Sequence, residues 1–86
     1  MYRYSINDLT GAADSIDAVL ADLYAELRRA AALLGRCRWA ITSPADRLHT
    51  GASTFGQPDH DEYHINTAIT TVRDNLEYDA TQPPLN

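Results

Sequence analysis

The sequence predicts an all-α fold: an elongated antiparallel helical hairpin with a short extra helix, completed to a four-helix bundle by dimerisation. Three observations carry that expectation. Leu9, Ala13, Ile16, Leu20, Leu23, Leu27, Ala30, Leu34, Cys37 and Ile41 recur at steps of 4 and 3, the seam of helices packed at small crossing angles. Ile65, Ile69, Val72 and Leu76 repeat the pattern near the C-terminus. The chain has 86 residues, so its core covers only about two-thirds of the unfolded surface, and a partner is expected to share the burial.

The whole of 1–86 is read as one helical domain. The first helix is expected at about residues 7–41. Ser5 and Asp8 give its N-terminal capping pattern, and Pro44 stops it, because the residue before a proline avoids the helical region. Such a helix is roughly 50 Å long, against a radius of gyration of about 12 Å for a compact chain of this size, hence the elongated hairpin. Gly35 offers an earlier C-terminal cap, but Cys37 and Ile41 keep the phase beyond it and favour continuation. Val19, Tyr24, Ala31 and Leu33 widen the apolar stripe beyond what one shorter partner helix can cover. The expected partner interface is Val19, Leu20, Leu23, Tyr24, Leu27 and Leu34, with Trp39 at its end.

A short helix at about 44–50 follows from Ser43 as N-cap, Pro44 in the first turn and Gly51 as terminator. Residues 51–58 read as a loop anchored by Phe55, and residues 59–79 as the second long helix. The tail, 80–86, contains two prolines that forbid helix continuation.

The stretch PDHDEYH sets His60 and His64 at the spacing of the His-Glu-x-x-His zinc helix. Asp61 stands where that motif needs glutamate, and Asp59 with Glu62 has the spacing of a capping box, which accounts for both acids without metal. A metal-binding helical protein using His60 and His64, with His49 as a conceivable third ligand, is therefore the lesser reading. Cys37 falls in the apolar seam, where a thiol is packing, and neither Ser43 nor Ser53 has an adjacent base. No catalytic, cofactor-binding or metal-ligating residue is assigned, and no enzyme activity or cofactor is expected.

The net charge is −5, and all seven basic residues are arginines, a bias that suggests a GC-rich genome such as that of an actinobacterium or its phage. The first segment runs from acidic to basic, which suits the dipole of a helix. At this net charge a direct nucleic-acid partner is not expected. No apolar run reaches membrane-spanning length and no secretory signal opens the chain, so a cytoplasmic, non-membrane protein is expected.

Trp39, in CRWAIT between the two expected long helices, gives the chain a plan that resembles the small Trp-x-Gly helical-hairpin family of type VII secretion substrates. Ile41 stands where that family has glycine, and Gln82 where its tail signal has an acid four residues after Tyr78. The resemblance implies pairing with itself or a similar hairpin, and export without a cleaved signal peptide. The function expected is thus a non-enzymatic protein–protein interaction module. The alternative is a small acidic inhibitor, such as an immunity protein, antitoxin or phage-encoded blocker of a nucleic-acid enzyme, whose acidic face would meet a basic protein partner.

Overall fold

A computed structural model describes residues 1–83 and gives an α+β fold. The elements run β1 (Tyr2–Ile6), β2 (Leu9–Ala13), α1 (Ile16–Ala32), β3 (Arg36–Thr42), β4 (Leu48–Thr54), a single 3-10 turn (Pro58–His60) and α2 (Asp61–Ala80). The strands form one antiparallel sheet in the order β2-β1-β3-β4. This overturns the all-α helical hairpin and with it the four-helix bundle. The long helix of 7–41 survives only as α1, the short helix of 44–50 falls within the β3–β4 turn and the start of β4, and the expected second long helix becomes α2.

Strict alternation makes the strands. Tyr2, Tyr4 and Ile6 on β1, and Cys37, Trp39 and Ile41 on β3, point inward and are buried, while Arg3, Ser5, Arg36 and Arg38 point outward. Leu9 and Ala13, and likewise Cys37 and Ile41, are four apart, and an even step satisfies a period of two as well as it satisfies a helical turn. The heptad seam therefore crossed two strand boundaries unseen.

Helix α1 begins at Ser15, whose hydroxyl accepts from the Ala18 N–H at 3.1 Å, so the cap lies ten residues beyond the expected Ser5. It ends in a Schellman motif. Gly35 N–H donates to Ala30 O at 2.9 Å and Leu34 N–H to Ala31 O at 3.2 Å, with Leu34 in the left-handed region at φ 52°. The helix stops here because Leu34 takes the left-handed conformation and turns the chain into β3. At the start of α2 neither Asp59 nor Glu62 forms the expected capping box: His60 is the N-cap residue and makes no side-chain cap bond. Glu62 pairs instead with Arg28 of α1.

Both helices pack on one face of the sheet. Val19, Leu20, Leu23, Leu27, Ala30 and Ala31 of α1 meet Ile65, Ala68, Val72 and Leu76 of α2 and the inward strand residues in one core, with Phe55 fully buried beneath the β4–α2 connection. The two helical stripes do pack together, as their periodicity implies, but over a sheet.

The fold contains an internal repeat of two ββα units. Tyr2-Arg-Tyr-Ser-Ile6 corresponds to Cys37-Arg-Trp-Ala-Ile41, and Leu9-Thr-Gly-Ala-Ala13 to His49-Thr-Gly-Ala-Ser53. Tyr4 pairs with Gly11 as Trp39 pairs with Gly51. Because β1 and β3 are antiparallel with Ser5 opposite Ala40, a pseudo-two-fold axis passes through that pair. The correspondence continues into the helices at matching buried positions: Val19 with Ala68, Leu23 with Val72, Leu27 with Leu76, and Ala30 with Asp79. Insertions sit in loops, the two-residue turn 7–8 becoming the five residues 43–47.

Candidate functional site: a groove beside the β4 edge

β4 is an edge strand, and α2 lies beside it. Between them runs a groove of about 500 Å³, with Trp39 and Gly51 at its floor, Val72 and Ala68 on its helical wall, and Thr71 and Asn75 toward its mouth. Gly51 is required there: a Cβ on it would come within 2.4 Å of the Trp39 ring, so the indole lies flat across the strand only because residue 51 has no side chain.

The backbone parity of β4 follows from its register. Phe55 N–H donates to Gly35 O at 2.8 Å and Gly51 lies opposite Trp39, so His49, Gly51, Ser53 and Phe55 bond inward to β3. The backbone groups of Leu48, Thr50, Ala52 and Thr54 consequently face the free edge. No charge or proline interrupts the strand, so the edge lacks the usual devices that prevent pairing.

One end of the groove is fixed by a polar cluster. Asp79, with only 4% of its side chain exposed, meets His49 Nε2 at 2.5 Å through Oδ2 and accepts from Arg47 Nη1 at 2.8 Å through Oδ1. Burial by itself would raise the Asp79 pKa, but hydrogen bonds from His49, Arg47 and Ser43, together with the Arg47 charge, outweigh it and hold the carboxyl below its ordinary value. Arg47 also donates to Pro83 O at 2.7 Å, tying the chain beyond α2 to the β3–β4 turn. In the first ββα unit the corresponding positions are Leu9 and Ala30, both apolar. The cluster is therefore particular to the second unit and not a demand of the fold.

The first unit also shows how such a groove closes. Tyr4 donates its hydroxyl to Asp22 of α1, and the pKa of Tyr4 is raised by that bond, by burial and by the Asp22 charge. At the matching places the second unit has Trp39 and Thr71, and the space between strand and helix stays open.

The expected interface residues are dispersed. Val19, Leu20, Leu23 and Leu27 lie in the protein's own core and are not available to a partner. Tyr24 is exposed, accepts from Arg28 Nε at 2.9 Å and carries the Arg28 guanidinium over its ring; Leu34 is exposed at the end of α1. Trp39 alone borders the groove.

His49 is separated from the other two histidines. His49 is held by Asp79 at one end of the groove, His64 packs edge-on to Phe55 at the other, and His60 lies beside His64 with ring centroids 6.3 Å apart. Among the described residues no group of three or more His, Cys, Asp and Glu side chains is placed to hold a metal ion. Cys37 is buried, and burial, followed by the charge of Glu26, pushes its pKa up to about 11, which keeps the thiol protonated at neutral pH. Among the described residues no helix is long and apolar enough to cross a membrane.

Sequence reasoning missed Gly51, Asp79 and the β4 edge. The repeated Thr-Gly-Ala following Arg-(Tyr/Trp)-x-Ile was the available signal, since a repeat that carries a glycine inside each second segment points to paired hairpins. Compared with protein-family models, curated proteins and solved structures, the chain matches none.

Proposed function

We infer that this protein is a non-enzymatic protein-interaction module that captures an extended segment of a partner by strand addition to β4. The observation that carries the reading is the unblunted β4 edge lying alongside an uncharged helical wall. An incoming strand would bond to the outward backbone groups of Thr50, Ala52 and Thr54 and turn alternate side chains into the groove. The centre, between Gly51, Val72 and Ala68, suits an aliphatic side chain, while Thr71 and Asn75 offer hydrogen bonds at the rim. His49 and Asp79 brace the end of the strand where the partner is received.

Selection of peptides from a random display library, followed by amide chemical-shift mapping, tests this. Selected peptides should shift amides of His49–Thr54 and of α2 between His64 and Asn75. Ala52→Pro removes an outward N–H and no bond to β3, so it should abolish binding while the domain stays folded. Undiminished binding by Ala52→Pro, or no enrichment at all, refutes strand addition. Sedimentation equilibrium shows whether β4 of a second copy can be the added strand: a dimer would have to disappear in Ala52→Pro.

A further inference from the structure

One face of the sheet is covered by helices, and among the described residues nothing covers the other. The bare face holds all three strand arginines, Arg3, Arg36 and Arg38, and none of the residues of β1 to β4 is acidic. All twelve acidic residues lie in turns, loops and helices, so a chain of net charge −5 presents a basic sheet and an acidic helical layer. Net charge alone spoke against a nucleic-acid partner; its distribution does not.

The internal repeat adds an independent observation. Outward-facing residues are kept between the two units: Arg3 with Arg38, Thr10 with Thr50, and Ala12 with Ala52, while Ser5 and Ala40 are both small. On the inner face Ile6 with Ile41 and Gly11 with Gly51 are kept as well, while Tyr2 with Cys37, Leu9 with His49 and Ala13 with Ser53 differ. Core packing explains retention on the inner face, but nothing among the described residues packs on the outer one, and retention there points to another cause.

The geometry points to double-stranded DNA as the occupant of this face, and we propose that the central ribbon of β1 and β3 docks in its major groove. That groove is about 12 Å wide and admits a two-stranded antiparallel ribbon. Here β2 and β4 flank the central pair, so the contact is made by the side chains that project from β1 and β3 and not by entry of the whole sheet. Arg3 and Arg38 lie two residues from the pseudo-two-fold axis on opposite strands and in opposite directions, which places their Cα atoms about 14 Å apart, enough to reach phosphates on both borders of the groove. A duplex has local two-fold axes perpendicular to its length, so the pseudo-axis through Ser5 and Ala40 has a natural counterpart. The small side chains around it let the backbone approach.

The side chain of Asn7 accepts from Arg38 N–H at 2.9 Å and donates to Arg36 O at 3.1 Å, holding the segment that presents two of the three arginines. Two acids stand at the rim. Asp46 pairs with Arg3 at 3.3 Å, both side chains mostly exposed, and Asp8 borders the same depression as Arg38. Exposed pairs of this kind hold little energy, and a phosphate can displace them. The acidic helices would face away from the duplex.

Fluorescence anisotropy of a labelled, mixed-sequence 20-base-pair duplex tests the proposal with the intact chain. Three phosphate contacts give a log–log salt slope near −2.7, so affinity should fall about 200-fold between 20 and 150 mM salt. Arg3→Ala with Arg38→Ala should reduce the slope by nearly two and weaken binding at 20 mM by at least tenfold. Arg28→Ala and Arg73→Ala, on the helices, should leave binding unchanged, with circular dichroism confirming that every variant is folded. The proposal is overturned if no binding occurs at 20 mM, if the helix variants weaken it equally, or if a single strand competes as well as the duplex. It is equally overturned if the chain self-associates without DNA through Arg3 and Arg38, because the acidic helices of a second copy would then be the occupant.

Discussion

The two ββα units share a plan and differ in closure. In the first, Tyr4 bonds Asp22, Gly11 lies close under the tyrosine ring, and the positions facing the strand end are the apolar Leu9 and Ala30. In the second, the indole of Trp39 is pressed onto Gly51, the strand–helix space is open, and a His49–Asp79–Arg47 cluster replaces the apolar pair. Helix α1 contacts all four strands, whereas α2 lies chiefly against α1 and β4. The difference teaches that one unit serves as scaffold while the other carries a groove, with the same hairpin chemistry supporting both.

The largest expected effects test the equivalence of the two cores. Leu27 and Leu76 occupy matching, fully buried positions, and either Leu→Ala replacement should cost about 2–5 kcal/mol in denaturant unfolding. A much smaller loss for Leu76 would mean that α2 is loosely docked and the groove is not preformed.

Asp79→Ala should come next, at about 1–3 kcal/mol, because Arg47 and His49 would lose the carboxylate that satisfies them. Asp79 also sets the acid response. Its folded pKa lies below the ordinary value near 4, so its contribution is complete above that value and is lost as pH falls through the lower folded one. Tyr4 works in the opposite direction in the first unit: its raised pKa gives a contribution complete below pH 10 and lost as pH rises through the folded value. Unfolding measured against pH should show Asp79→Ala flattening mainly the acid limb, with a smaller change in the alkaline limb because the Tyr2 pKa is raised by burial and also by the Asp79 charge. Tyr4→Phe should flatten the alkaline limb alone. A change of the acid limb in Tyr4→Phe would break the assignment of that group.

The glycines sharpen the comparison further. Gly51→Ala drives a Cβ to 2.4 Å from Trp39, while at Gly11 the nearest Tyr4 atoms are 3.0 Å away. We expect about 1–3 kcal/mol for Gly51→Ala and a smaller loss for Gly11→Ala, measured by thermal unfolding. Equal losses would show that the indole moves aside freely.

The smallest effect is a gain. Leu34 holds a left-handed conformation at the exposed end of α1, so Leu34→Gly should relieve local strain and stabilise by up to about 1 kcal/mol in the same unfolding measurement. A loss would mean that the leucine side chain stabilises the turn more than its backbone geometry costs.

The helical stripes were legible because 3.6-residue periodicity is a local property: Ile16 to Ala30 and Ile65 to Leu76 each carry enough turns to reveal their buried face. The strands were legible in principle, through Tyr-Arg-Tyr-Ser-Ile and Arg-Cys-Arg-Trp-Ala-Ile-Thr, but even-numbered steps joined them to the helical seam. The end of α1 was half readable, since Gly35 marked it one position beyond the residue that turns left-handed.

By itself the sequence determined the main buried stripe of each helix, although Tyr24, Leu33 and Leu34, expected on that stripe, are exposed. The duplicated Arg, Thr and Gly stand in the sequence too, but they become paired strands only once the sheet is seen. Only the tertiary structure decided that Trp39 belongs to a strand, that Gly51 lies beneath it, and that Asp79, His49 and Arg47 meet across thirty or more residues of chain. Periodicity fixes the direction in which a side chain points relative to its neighbours in sequence. Which surface it then meets is set by strand pairing and helix docking between distant segments, and no local pattern encodes those contacts.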